Sequence, residues 1–386
     1  MPNVLLIIPT GTYRAEEYLS AAERLGVTVI TASERRQAMA GVMADQFLEV
    51  PLSDPGRAAS LIVAHARRVG LDAVISIDDQ GLLAAAMASE ALGLRHSPAA
   101  AVALTRDKAR MRAAFAAAGV PQPEYDVAPP LRAAEAAELL GLPAVLKPAT
   151  LSASRGVIRV DTAAAASAAV RRIVAILADE GEPSDQLVAE KFVPGPEVAV
   201  EGICKGGEVH VITVFDKPDP LDGPYFEETF YVSPSRLSPG LLTAVEEATV
   251  AAIEALGITD GPFHAEMRVP GARPRPEVAW HSMNETSRAP VKVLEVAART
   301  IGGRCSKAMR LENGWGLEEL IISNALGGGW PPPPIAGPCG ILMIPIPRSG
   351  VLQGVGGIER VRRLEGITGV EVTIPAGRPV RTLPEG

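Results

Sequence analysis

The chain of 386 residues is poor in aromatic side chains, 4% of the total, and holds only three cysteines. The aromatic scarcity, beside plentiful Ala, Gly and Pro, is the mark of a GC-rich genome and says little about function. Cys204, Cys305 and Cys339 lie far apart, form no CxxC pair and leave an odd count. That argues against a disulfide framework and for the reduced thiols of a cytoplasmic protein. No basic cluster follows a helix or interleaves with aromatics, and the net charge is −8, so nucleic acid is not expected as a partner. No apolar run approaches the length of a membrane span. The opening Met1-Pro-Asn-Val-Leu-Leu-Ile-Ile lacks the charged region and cleavage site of a signal peptide. No GxGxxG follows the first apolar run, which excludes an ordinary dinucleotide-binding unit. No internal repeat is present.

What is there is ordinary in bulk, with 47% hydrophobic and 21% charged residues, and too long for one core, so two or three packed units are expected. Val4–Ile8 is a continuous apolar run suited to a buried parallel strand. A helical spacing from Tyr18 to Leu25, a strand at Val27–Ile30, another at Phe47–Val50, a helix near 58–69 and a strand at Ala73–Ile77 continue a βα alternation. Asp78 and Asp79 follow at the carboxyl edge, where open α/β sheets bind ligands, although a helix N-cap is the favoured reading of the pair. Ser97-Pro98 opens a helical stretch to Gly119 with a break near Thr105. Residues 120–130 read as a linker from their prolines.

Beyond the linker come a strand at 144–148 ending in Lys147, a small-residue loop at 149–156 and a strand at 157–160. Strands are expected at 187–190, 198–202 and 209–214, an amphipathic helix from Ser238, a strand at 263–269, and tail strands near 340–344 and 370–374. Residues 270–290 are a long excursion between strands. The stretch Val293-Leu-Glu-Val-Ala-Ala-Arg-Thr-Ile-Gly-Gly303 places Glu295 and Arg299 together before a Gly-Gly pair. Taken alone, the two charges are a strand-end salt bridge or a site, because Glu is rarely buried unless paired or bound to metal.

The order Lys108, Lys147, Glu190-Lys-Phe-Val193, Glu266, Glu295, Arg299 resembles the ATP-grasp superfamily of carboxylate–amine ligases. The resemblance runs from Val4 to about Ile374; each motif is degenerate, the ordered set fairly specific. It implies an α/β and α+β fold: an N-terminal Rossmann-like domain over 1–104, a helix and linker over 105–142, a lid subdomain over 143–202 and a C-terminal catalytic lobe over 203–386. By the same resemblance, Lys108 and Lys147 contact ATP phosphates. Glu190, Lys191, Phe192 and Val193 line the adenine, and Glu197 accepts from the ribose. Glu266 and Glu295 bridge two Mg2+ ions, with Mn2+ as a substitute. Arg299 stabilises the transferring phosphoryl group, Gly302 and Gly303 let the backbone approach an acyl group, and Ser152, Ser154 and Gly156 form a loop that excludes water. The bland alternatives are a solvated helix lysine for Lys108 and a strand cap for Glu197. His264 is assigned to the other face of its strand from Glu266, as a packed or substrate-facing residue; His281 is a weaker candidate.

Two departures from the pattern stand out. Ala297 occupies the place of a metal-binding Asn, which resembles the subgroup that joins L-amino acids into dipeptides or amides. Glu266 and Glu295 are 29 positions apart, so the excursion has to loop out and return, and its Asn284 and Glu285 remain open as site residues. The implied activity is ATP-dependent activation of a carboxylate as an acyl phosphate and its joining to an amine, with release of ADP and phosphate. Alternatives are a carboxylase subunit or purine-pathway ligase (no Met-Lys-Met biotin site occurs) and a non-catalytic nucleotide-binding module. Tyr231, Lys217 and His264 are candidates for the substrate pocket. The implied partners are ATP and amino-acid-like small molecules, with a homodimer plausible. The chain ends at Leu383-Pro-Glu-Gly386, where related ligases continue, consistent with a cropped or disordered C-terminus.

Overall fold

The computed structural model describes residues 1–35, 46–183, 185–271 and 291–386. Most of the excursion, with His281, Asn284 and Glu285, lies outside the described residues.

The N-terminal unit is a parallel sheet of β1 (Asn3–Ile7), β2 (Thr28–Ser33), β3 (Phe47–Glu49) and β4 (Ala73–Ser76), in the order β3-β2-β1-β4. Its apolar run is explained by burial on both faces. Val4, Leu6 and Ile8 pack toward α1 (Ala15–Arg24). Leu5 and Ile7, one pleat on, pack toward α2 (Pro55–Val69) and α3 (Leu82–Leu92). Next come α4 (Ala99–Thr105) and α5 (Lys108–Ala118). The break expected near Thr105 is there because Asp107 caps α5, accepting from the amides of Ala109 and Arg110.

The second sheet corrects the linker reading. Within 120–130, β5 (Tyr125–Ala128) is a strand, paired antiparallel with β8 (Leu187–Lys191). Proline marked its start but did not prevent pairing. Helix α6 (Pro130–Leu140) follows, then β6 (Ala144–Pro148), β7 (Ile158–Val160) and α7 (Ala163–Glu180); the strand order is β5-β8-β6-β7. Both helices cover one face with small and aliphatic side chains.

The third sheet is antiparallel. Its strands are β9 (Glu197–Lys205), β10 (Glu208–Lys217), β11 (Phe230–Ser233), β12 (Gly261–Arg268), β13 (Lys292–Ala297) and β14 (Cys339–Leu342), ordered β13-β12-β9-β10-β11-β14. Val198, Val200, Phe263, Ala265 and Met267 face α8 (Pro239–Leu256). Gly202 lies under the Phe263 ring, where a Cβ would stand 2.1 Å from Cζ, so no larger residue fits. Glu197, Ala199, Glu201 and Ile203 alternate to the other face. There Ala199 and Ile203 join α9 (Leu317–Ala325) and the N-terminal sheet in one core. Among the described residues Val370–Ile374 form no strand: the segment is mostly exposed and has no neighbour to pair with, and β propensity needs such a partner. No described helix is long and apolar enough to cross a membrane.

Candidate active site

A cleft of about 500 Å³ lies where the three units meet. All the described residues singled out from the sequence for ATP, metal or catalysis line it except Gly156; of the substrate-pocket candidates Tyr231 and His264 line it and Lys217 does not.

Glu266 and Glu295 are direct register partners across β12 and β13, with a bulge beside Glu266. Directly opposed side chains on one face are the closest pair a sheet offers. Each carboxylate is held by an ammonium group: Lys217 Nζ lies 3.1 Å from Glu266, and Lys108 Nζ lies 3.2 Å from Glu295. Lys217 also meets Glu197 at 2.6 Å and Glu228 at 2.5 Å. Burial alone would raise the Glu266 carboxyl, but Lys217 and His264 hold it well below the usual range. His264 Nε2 is 3.3 Å from Glu266 Oε1. That corrects its assignment to the other face, since residues two apart on a strand share a face. His264 also stands in register with Ala297, so its imidazole lies across from the small side chain.

The lysines come from the opposite wall. Lys108 donates to the carbonyl of Leu151 at 2.5 Å and its amide to that of Ala149, anchoring both ends of the 149–151 segment. Lys147 meets Glu190 at 2.7 Å, and Arg112 meets the same oxygen at 2.6 Å. Burial would raise Glu190, but Arg112 and Lys147 pull it below its ordinary value. The Glu190 side chain is thus a buried strut. At the hinge the amides of Lys191 and Phe192 donate to the carbonyls of Glu124 and Pro143. The amide of Val193 has no such partner among the described residues. Phe192 lies between Arg159, 4.3 Å from its ring centre, and Arg268, at 5.6 Å. Glu197 is buried between Lys217 and Arg268. The loop carrying Ser152, Ser154 and Gly156 is shaped by positive φ at Ala153, Ser154 and Gly156. Such a turn aims successive amides to one side.

The Glu295–Arg299 salt bridge considered from sequence is not formed. Arg299 Nε instead meets Asp79 at 2.8 Å, and Arg106 meets the same oxygen at 3.0 Å. Burial works to raise Asp79, yet Arg299 and Arg106 bring it down to about 2. Only Asp78 is the cap, accepting from the Asp79 amide at 2.7 Å. Gly303 has φ +60°, and a Cβ there would meet Met343 Sδ at 2.3 Å. Its amide donates to the Tyr13 hydroxyl at 2.8 Å, so of the glycine pair it is Gly302, which also lines the cleft, whose amide has no partner among the described residues. Glu201, fully buried, accepts from the amide of Ile301 at 2.6 Å and fixes this loop from below.

Sequence reasoning missed Arg112, Arg14, Glu201 and Glu228. Arg112 bonds Glu190, Gln122 and the carbonyls of Val293 and Leu294, tying α5 to β8 and β13. On a helix read from its start at Ser97-Pro98 and its stop at Gly119, nothing in the sequence set it apart.

The carboxylate pair fits a divalent cation: two anionic oxygen ligands on one face, each beside a lysine ammonium, are the donor set Mg2+ takes. The chain matches two family models, an ATP-grasp N-terminal domain over residues 19–96 and an ATP-grasp domain over 140–308. It is 29% identical over 226 residues to an alanine–anticapsin ligase of Bacillus subtilis, a match covering 54% of this chain and 47% of that one. The chain thus spans about half the length of that curated relative. An L-amino acid ligase structure from Bacillus licheniformis superposes with a TM-score of 0.77 at 25% identity, covering 100% of this chain and 90% of that one. An N5-carboxyaminoimidazole ribonucleotide synthetase from Thermotoga maritima shares the fold alone, at 17% identity with a TM-score of 0.68, over 99% and 92% of the two chains. With its carboxylate pair, lysines and arginine in one cleft, the chain belongs to the ATP-grasp superfamily.

Proposed function

We propose that the chain is an ATP-dependent carboxylate–amine ligase, which activates an amino-acid-like acid as an acyl phosphate and joins it to an amine. The observation that carries this reading is the cross-strand pair Glu266 and Glu295 facing Lys108, Lys147 and Arg299 across one cleft. In this reading the adenine meets the Val193 amide and Phe192, and the ribose meets Glu197. Lys108 and Lys147 exchange their carboxylate partners for phosphate oxygens, which suits a compact charge on a flexible stem. Glu266 and Glu295 hold Mg2+, two ions in the fuller form of the proposal, which when bound neutralises phosphate charge as a Lewis acid.

Arg299, fixed by Asp79, presents a preoriented cation where charge builds on the transferring phosphoryl group. The Gly302 amide faces the acyl oxygen. The loop of Ser152, Ser154 and Gly156 keeps water from the acyl phosphate. The supporting relatives are themselves ligases. A cytoplasmic location and a homodimer belong to the same reading. Release of ADP and phosphate across a panel of L-amino acids tests it. Amino-acid-dependent release is expected; a complete panel at background would remove the proposal.

A further inference from the structure

Six cationic side chains are buried among the described residues: Arg14, Lys108, Arg112, Lys147, Lys217 and Arg268. Five of them lie in ion pairs, with Glu295, Glu190, Glu197, Glu228 or Glu266. Arg14 is the exception. It lines the cleft, 7% exposed, and has no carboxylate within 4 Å among the described residues; the buried Glu201 feels its charge only from further off. Its guanidinium donates to Thr300 Oγ1 and lies 5.8 Å from the Tyr18 ring centre. A buried charge with no counter-ion in contact is costly unless a ligand supplies one. Arg14 also stands at the N-cap of α1, whose first turn receives no side-chain cap bond, so the positive end of the helix adds to the same place.

The position of this charge says which anion it awaits. Arg299 donates to the carbonyl of Thr300 at 2.9 Å, while Arg14 holds the hydroxyl of the same residue. The two guanidinium groups therefore flank Thr300. Arg299 is already anchored to Asp79 and serves the phosphoryl end in the reading above. A carboxylate one α-carbon removed from the attacking nitrogen falls beside it.

Resting on the ligase reading, we propose that Arg14 binds the free α-carboxylate of the amine component, so that this component is an amino acid and the product keeps a terminal carboxylate. In the step itself the neutral amine nitrogen attacks the acyl carbon. The C–N bond forms, the C–O bond to phosphate breaks, phosphate leaves with the bonding pair, and the nitrogen gives up one proton to the departing phosphate. Arg14 holds and orients the amine component; it also keeps that carboxylate, neutralised by a planar fork, away from activation.

The test compares wild type, Arg14→Met and Arg14→Lys with three nucleophiles: the amino acid giving the fastest turnover, the amide of that amino acid, and hydroxylamine, which traps the acyl phosphate as a hydroxamate. Circular dichroism and thermal melts accompany each variant, and Arg14→Lys, which keeps the charge, stands in should Arg14→Met not fold. For Arg14→Met, kcat/KM with the amino acid is expected to fall at least about 100-fold, through KM first, against less than about fivefold with the amide and hydroxylamine, because a site built for a charged group loses most when that match is removed. Arg14→Lys should restore part of the loss with the amino acid alone. Equal losses with all three nucleophiles would overturn the proposal and move Arg14 to the acid component; no selective loss would overturn it outright. Wild type giving neither ADP nor hydroxamate with any acid would remove the ligase reading and this proposal together, an outcome distinct from the other two.

Discussion

Glu266 and Glu295 stand directly opposite one another on antiparallel strands β12 and β13, although 29 positions separate them in the chain. The sheet ladder brings them together, whatever path the intervening residues take. Each is balanced by a lysine. Removing one anionic ligand without changing its shape should therefore spare the fold and cost turnover. For Glu295→Gln we expect at least an approximately 100-fold loss of kcat with a thermal midpoint within about 3 °C of wild type. Turnover at wild-type level in ordinary Mg2+ would refute the metal assignment.

The Arg299–Asp79 pair joins the loop after β13 to the first unit at 2.8 Å. Asp79→Asn leaves Arg299 charged and bonded to the Thr300 carbonyl but without its ionic anchor. The expected result is a fall in kcat of about 10- to 100-fold with ATP affinity changed less than about threefold, because the lost interaction belongs to the transition state. Arg299→Lys should show the same split. Equal losses in ATP binding, measured by calorimetry, would place Arg299 on the ground-state nucleotide instead.

Arg112 is 1% exposed and fixes three elements at once. Arg112→Met would strand Glu190 with Lys147 alone and free two carbonyls. Breaking such a buried pair costs about 3–5 kcal/mol. Urea unfolding followed by circular dichroism should show a loss in this range, and a loss below about 1 kcal/mol would show the strut to be dispensable.

Burial raises the Glu201 carboxyl to about 7, outweighing His264, the Ile301 amide and Arg14. An acid whose folded pKa exceeds its unfolded value of about 4.3 binds its proton more tightly when folded, so stability falls as pH rises from about 4 to about 7. Gln at this position keeps an acceptor for the Ile301 amide and removes the titration. In the nucleotide-free protein, Glu201→Gln should gain stability relative to wild type by roughly 2 kcal/mol between pH 5 and pH 8. The same difference at both pH values would show that Glu201 does not titrate in this window.

The sequence by itself determined the parallel first sheet, because only burial on both faces explains runs such as Val4–Ile8, and it determined which side chains could carry ligase chemistry. Lys147, Glu266 and Glu295 stood out because charges at strand positions are expensive without a partner. Pairing was decided by tertiary structure. A Glu295–Arg299 salt bridge, one of the two readings open from that stretch alone, gave way to Lys108 and Asp79, which are distant in the chain and arrive through separate units. β5 was hidden by prolines that a neighbouring strand tolerates, and Val370–Ile374 looked like a strand with no partner to receive it. Local pattern records what a residue prefers; which charge balances which depends on distances that only the packed chain sets, and it is that packing which leaves Arg14 buried in the cleft with no carboxylate in contact among the described residues.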